Sequence, residues 1–419
     1  PMPTANAAAL VVQVGVGALH EPDEVSGISH LLEHVVFRGS RATPGTELLR
    51  RFAGIGAEFN GRTSEAATQY QAMLLPEDVG RAMNWFAEML ETPALRSEDI
   101  ALEKQIVEQE NCRGCFGCTM HQREALYGAA FPDQSARNPV IGYEDTVAAL
   151  SRDDLVAWHR RMYVGANIAV GVAGAVEHEA VVALAERAFG GLARGERAQV
   201  PDLHYTPGES VMASGCDQGA VWIAAPLIGH DEETLRRIWQ FTHTVGGHGL
   251  SPLLVELREK RGLVYDAHTN FDELGPVPVM HLHLMGEAAK VGEIVDVAME
   301  TLRGAAERMP EDVFAIGQAR ARTMQRMGLD DPAARVDDMV SDIVEIGALR
   351  DMAAREAAYV AMTAEDVAEG GRALLATAPS IAIQGPPRQM PKASAVRAAW
   401  SGVAEAKSPV RRSLFRLAG

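Results

Sequence analysis

Two short apolar runs, "NIAVGVAG" (167–174) and "SIAIQGP" (380–386), close two halves of the chain that share one order of elements. The first half opens on an apolar run at 8–18, followed by helical spacing at 23–38 and 45–56. A strand pair at 57–75, "AEFNGRTSEAATQYQAMLL", carries Asn60 and Gly61 as turn residues near its start. Amphipathic helices then run to about 161. The second half repeats this with a strand at 219–227, a helix at 232–246, a strand pair near 263–286 and helices from 288 to about 376. Strands grouped with runs of helices predict an α+β class. The expected architecture is two tandem, similar domains, each a mostly antiparallel sheet covered by helices on one face. The expected boundaries are 1–195, a polar, proline-bearing linker at 196–210, a second domain at 211–388, and a loosely packed Pro/Ala/Arg-rich tail at 389–419.

At 419 residues the chain is long enough for two or three domains. A net charge of -17 argues against a nucleic-acid or anionic-membrane surface. No apolar run approaches the ~18 residues of a membrane span, and the first residues lack the basic start of a signal peptide. Four cysteines do not make a disulfide scaffold, so a reducing cytosol is the default compartment. Lysine, at Lys104, Lys260, Lys290, Lys392 and Lys407, is rare beside arginine, which suggests a GC-rich bacterial source.

The chemistry concentrates in "SGISHLLEHVVFRGS" (26–40). His30 and His34 are four apart, so a helix puts both imidazoles on one face, with Glu33 on the neighbouring one. Two histidines are too few for a catalytic zinc, which takes three protein ligands and a water. The helix "SEDIALEKQIVEQEN" offers Glu103 and Glu110, seven apart and on one face, while Glu108 lies off it. Either carboxylate can complete a His/His/Glu set, leaving the other to support a ligand. The second half has no counterpart: "RRIWQFTHTV" fills the equivalent helix. Taken alone, a two-histidine helix is as often an ordinary surface as a metal centre.

The string H-x-x-E-H with a glutamate pair 70–76 residues on is the inverted zinc motif. With "GAEFNGRTSEAATQY", "ALEKQIVEQE" and "VGGHGLSPLLVELREKRGLVYDAH" in order, the chain resembles the pitrilysin/insulysin-type metallopeptidases from about residue 10 to 386. The likeness is to their two-domain branch, with the mitochondrial processing peptidases and their bacterial relatives. The resemblance implies one Zn2+ per chain held by His30, His34 and Glu110, with Glu33 as general base and Glu103 behind a ligand. It implies that Arg258 and Tyr265 contact the substrate backbone and carbonyl oxygen, and that "FNGRTS", with Asn60 and Thr63, is an edge strand on which peptide substrate pairs. It further implies a zinc endopeptidase for short unfolded peptides or leader segments. The expected assembly is a homodimer with composite sites, with no nucleic-acid or membrane partner. Two alternatives are a catalytic subunit that needs a different partner chain and a non-catalytic metal-binding or scaffold subunit.

Two features depart from the pattern. Gly61 stands where relatives often have alanine. "CRGCFGC" (Cys112, Cys115, Cys118) begins two residues after Glu110, with spacing suited to a second metal and Cys216 or His121 as a fourth donor. A Gly/Cys loop specific to this lineage is the simpler account.

Overall fold

The computed structural model describes residues 1–111, 119–274, 277–402 and 412–413. The chain divides into two compact units. The first comprises 1–111, 138–201 and 325–351; the second comprises 112–137, 202–324 and 352–419.

In the first unit β1 (Ala8–Val14) leads to α1 (Ile28–Val36), α2 (Glu47–Gly54), the hairpin β2 (Glu58–Thr63) and β3 (Thr68–Leu74), then α3 (Val79–Glu91) and α4 (Ser97–Glu110). After α5 (Thr119–Ala130), which belongs to the second unit, come α6 (Glu144–Ala149), α7 (Arg152–Met162), β4 (Ile168–Gly174) and α8 (His178–Phe189). The sheet is antiparallel in the order β2-β3-β1-β4. In the second unit the chain runs β5 (Glu209–Ala213), β6 (Gln218–Pro226), α9 (Glu232–Gly246), α10 (Pro252–Leu254), β7 (Ala267–Leu274), β8 (Val277–Glu287), α11 (Val291–Glu307) and α12 (Glu311–Asp330). Then come α13 (Pro332–Ile346), which returns to the first unit, and α14 (Met352–Ala361), α15 (Ala364–Leu375), β9 (Ser380–Gly385), α16 (Ala393–Ser401) and β10 (Arg412–Ser413). Its sheet order is β10-β5-β9-β6-β8-β7, so β7-β8-β6-β9 reproduces β2-β3-β1-β4. Among the described residues only the β10–β5 and β5–β9 pairings are parallel.

The expected α+β class and tandem halves are present. The units are nevertheless not contiguous in sequence. Helical spacing shows that a helix has an apolar face but not which sheet that face will cover. Helix α13 lies on β1 and β4 of the first sheet, and α5 lies on β9, β5 and β6 of the second. Each sheet is therefore covered on a second face as well as the expected one. This explains why every residue of β1 is buried. Ala9 and Val11 pack with Val336 and Val340 of α13, which leaves Leu10, Val12 and Val14 for the face where α3 packs. Under α5 the second face is polar instead. The Tyr127 hydroxyl donates to Asp272 at 2.8 Å and lies 2.6 Å from His281 Nε2, while Gln122 donates to Gln384.

Three local expectations are corrected. Asn60 and Gly61 lie within β2, and the hairpin turn is Ser64–Ala67, closed by Ser64 N–H donating to Ala67 O at 2.8 Å. The linker's last residues, Glu209 and Ser210, already pair with β9, because their side chains are buried in the sheet. The tail is not loose at its start: α16 places Val396 and Trp400 fully buried in the second core, and the indole N–H donates to Thr377 O. The spacing of those two apolar residues, one helical turn apart, carried that signal.

Candidate metal centre

The site begins at the entry to α1. Gly27 precedes the helix with φ +92, and a Cβ there would meet Gly142, Ile141 and Val147 at 2.8 Å. Glycine therefore admits both the left-handed turn and the close approach. No residue adjacent to the helix caps it. Glu21, 2% exposed, accepts from Gly27 N–H at 2.7 Å and Ser29 N–H at 2.8 Å. A carboxylate here satisfies donors that the helix cannot, at the end where negative charge is favoured. Burial pushes the Glu21 carboxyl up to about 7 against those bonds. From this start, Leu31, Leu32, Val35 and Val36 enter the core, and His30 and His34 are left on the face toward α4.

Helix α4 supplies both glutamates. Glu110 Oε2 lies 3.8 Å from His30 Nε2 and 3.5 Å from His34 Nε2. Among the described residues, these three are the group whose donor atoms all fall within 4.8 Å of one another and suit a metal ion. Glu103, two turns earlier on α4 and 4% exposed, accepts from His34 Nδ1 at 3.0 Å. That bond places the His34 proton on Nδ1 and leaves Nε2 to donate its lone pair. Arg38 binds the other oxygen of Glu103.

Electrostatics separates the two histidines. Burial, reinforced by His34 nearby, pushes His30 down to about 4, so it is neutral and ready to ligate. Burial acts the same way on His34, but the Glu103 bond and the charges of Glu33 and Glu110 outweigh it and raise its pKa above the ordinary value. His30 Nδ1 is buried with no partner among the described residues.

Glu33, close enough to interact electrostatically with His34 and Glu110, also reaches β2. The Thr63 hydroxyl donates to its Oε2 at 3.4 Å, and burial pushes its carboxyl up to about 7. A Cβ on Gly61 would stand 2.0 Å from Glu33 Oε1 and 2.7 Å from Phe37 Cε2, so glycine gives the carboxylate its room against the strand. Strand β2 is the edge of its sheet. Phe59, Gly61 and Thr63 face α1, and Glu58, Asn60 and Arg62 face α13. Of the two strand residues expected near substrate, Thr63 meets the site, whereas Asn60 points to the other face.

Arg258 and Tyr265 lie in the second unit. Arg258 sits in a π-helical turn, Val255–Glu259. Glu256 engages Lys260 and Arg261, which leaves Arg258 beside Glu259 at 3.6 Å with its guanidinium 5.2 Å from the Tyr265 ring centre. Tyr265 is 83% exposed and precedes β7, so it is no core aromatic. Cys112, Cys115 and Cys118 lie outside the described residues, as does the side chain of His121, and Cys216 is a free, half-buried thiol.

Sequence reading missed two contributors, Glu21 and Arg38. Arg38 had a signal, since it follows His34 by one turn. Glu21 had none, because its cap spans a bend.

This donor set is a candidate zinc centre, and the comparisons with known proteins are to zinc-protease relatives. The insulinase (peptidase family M16) model matches residues 2–143, and the peptidase M16 inactive-domain model matches 149–320. The chain belongs to peptidase family M16. It is 28% identical to an uncharacterized zinc protease of Rickettsia bellii, over 78% of this chain and 79% of that one. It is 25% identical to an uncharacterized zinc protease of Mycobacterium tuberculosis, over 92% and 90%. In fold it is similar to a protease from Helicobacter pylori (TM-score 0.83, 18% identity, 92% of this chain and 96% of that one). It is also similar to a chain of Complex III2 from Candida albicans (TM-score 0.81, 14% identity, 95% of each chain). Among the described residues no helix is long and apolar enough to cross a membrane.

Proposed function

We propose that the chain is a zinc-dependent endopeptidase that hydrolyses short unfolded peptides or leader and presequence segments, working as a homodimer that closes like a clamshell. The observation that carries this reading is the placement of His30, His34 and Glu110 within 4.8 Å, with buried Glu33 beside them facing an edge strand. The donor set fits zinc. It comprises two imidazoles, one fixed in tautomer by Glu103 and one held neutral by burial, and a carboxylate.

When bound, zinc supplies Lewis acidity toward the water and the scissile carbonyl. The protein's own groups do the rest. An extended peptide adds to β2 through main-chain bonds, which give affinity with little sequence demand. Glu33, its other oxygen steadied by Thr63, accepts the proton of the attacking water and returns it to the leaving amine. Burial raises the Glu33 carboxyl in the metal-free site, and a bound zinc beside it would favour the carboxylate that accepts the proton. Tyr265 donates its hydroxyl to the carbonyl oxygen as charge develops there, and Arg258 holds the peptide backbone. In this reading the Arg258/Tyr265 pair is supplied by the second subunit.

Two experiments test the proposal. Purified chain should cleave members of an unfolded-peptide library, and a chelator should stop it; a digest indifferent to chelation sinks the zinc peptidase. Separately, Glu33→Gln and Tyr265→Phe chains, each inactive, should regain activity when mixed into one dimer. Co-assembled mutants that remain inactive would remove the shared site.

A further inference from the structure

The facing sides of α1 and α4 carry one pair beyond the metal donors. Along α1 this side presents His30, His34 and, one turn past His34, Arg38. Along α4 it presents Glu110 and Glu103. The partners interleave: His30 and His34 both meet Glu110, His34 also meets Glu103, and Arg38 meets Glu103 alone. The Arg38 backbone is held on both sides, its N–H donating to Val35 O at 3.0 Å and its C=O accepting from Gly45 N–H at 2.9 Å. Glu103 therefore gives one oxygen to each neighbour. Its Oε2 accepts from His34 Nδ1 at 3.0 Å, and its Oε1 accepts from Arg38 Nε. Three carboxylates, Glu33, Glu103 and Glu110, act on one another here. Arg38 is the one guanidinium or ammonium paired with any of them among the described residues.

We propose that Arg38 is a positioning residue for the zinc centre. It fixes how Glu103 faces His34, and through that bond it keeps the His34 proton on Nδ1 and the Nε2 lone pair toward the metal. This rests on the reading that His30, His34 and Glu110 hold zinc. The argument is one of donors and acceptors. A guanidinium only donates, so the Glu103 atom facing it must accept. A carboxylate accepts at both ends and satisfies Arg38 and His34 Nδ1–H together. Without Arg38, a buried oxygen of Glu103 loses its donor, and the carboxylate is released to rotate off His34. An amide accepts at one end and donates at the other. In Glu103→Gln the amide oxygen goes to Arg38 and its NH2 turns to His34. That drives the His34 proton to Nε2, the nitrogen the metal needs bare. Removing Arg38 as well lets the amide turn over and accept from Nδ1 again.

The test is zinc affinity of the full chain, measured in mildly alkaline buffer by competition with a chromophoric chelator. Arg38→Met should bind zinc about tenfold more weakly and Glu103→Gln about a hundredfold more weakly, the range for groups behind a metal ligand. Arg38→Lys, which keeps a cationic donor, should stay within about threefold of the unmutated chain. The double variant should bind about tenfold tighter than Glu103→Gln alone. The same Arg38→Met change thus has opposite signs in the two backgrounds, whereas a role in stability alone would weaken both. Nuclear magnetic resonance of the metal-free chain with isotope-labelled histidine gives a second readout. His34 should carry its proton on Nδ1 in the unmutated chain, on Nε2 in Glu103→Gln and on Nδ1 again in the double variant. Affinity unchanged in Arg38→Met, or weakened further when it is added to Glu103→Gln, overturns the role of Arg38. If zinc is bound and lost in His34→Ala while that sign does not reverse, the zinc reading stands and Arg38 alone falls. An unmutated chain that binds no zinc overturns both.

Discussion

Helices α1 and α9 occupy the same place in the repeated order, each after the first strand of its repeat and each against an edge strand. They differ in what they carry. On α9 the inner face is Ile238, Phe241 and Val245, and its histidine, His243, packs on Trp239 and Phe271. Burial pushes that histidine down to about 4, leaving a neutral member of an aromatic cluster. On α1 both histidines are set against the carboxylates of α4. Even the caps differ. Asp231 caps α9 locally, accepting from Thr234 N–H, whereas α1 is held by Glu21 from beyond a bend. One scaffold thus supports a packed helix and a ligand-bearing one. The second needs outside support, because a helix that spends one face on ligands has less face to bury.

The largest effect expected of that difference is chemical. Glu33→Gln should lower kcat/KM by about 10²–10⁴-fold, the usual contribution of a proton-transfer group, with zinc content unchanged; undiminished cleavage would place the base elsewhere. Metal analysis should find one zinc per chain, lost in His34→Ala and retained in His243→Ala. A zinc that depends on His243 would erase the contrast between the helices.

Zinc affinity should depend on pH through His34. In the metal-free chain its pKa lies above the ordinary value of about 6.5, so the proton on Nε2 competes with the metal as pH falls. Affinity should drop by roughly tenfold per unit below that pKa. His30, pushed down to about 4, should add nothing until far lower pH. A competition titration with a chromophoric chelator between pH 8 and 5 measures the slope, and a flat line contradicts it.

Glu21→Ala leaves two buried N–H groups unpaired and should cost about 1–3 kcal/mol in denaturant unfolding, more than an exposed glutamate elsewhere on the surface. A loss within error would make the remote cap ornamental. The smallest change is Gly61→Ala. The added methyl meets the free end of the Glu33 side chain, which can move, so kcat/KM should fall by about threefold, under 1 kcal/mol in barrier. A loss beyond a hundredfold would mean that Glu33 has nowhere else to go.

Much of this was legible in the residues. The four-residue spacing of His30 and His34 and the seven-residue spacing of Glu103 and Glu110 are properties of any helix, so their shared faces followed from periodicity. The repeated strand and helix order followed from alternating and helical apolar patterns. What misled was local chemistry read without its partners. Asn60-Gly61 has turn composition, yet it runs straight through β2, paired with Gln71 and Tyr70 of β3. The start of the tail has loop composition, yet Trp400 anchors that part in the second core.

By itself the sequence determined the elements, their duplicated order and which side chains of a helix stand together, because these depend on near neighbours along the chain. The tertiary structure decided which sheet α5 and α13 cover, which glutamate meets the histidines' Nε2 atoms and which fixes a tautomer, and that Glu21 caps α1. It also decided that Asn60 faces α13 while Thr63 faces Glu33. Those choices join residues tens to hundreds of positions apart, and burial and hydrogen-bond geometry select among pairings that local spacing leaves equal.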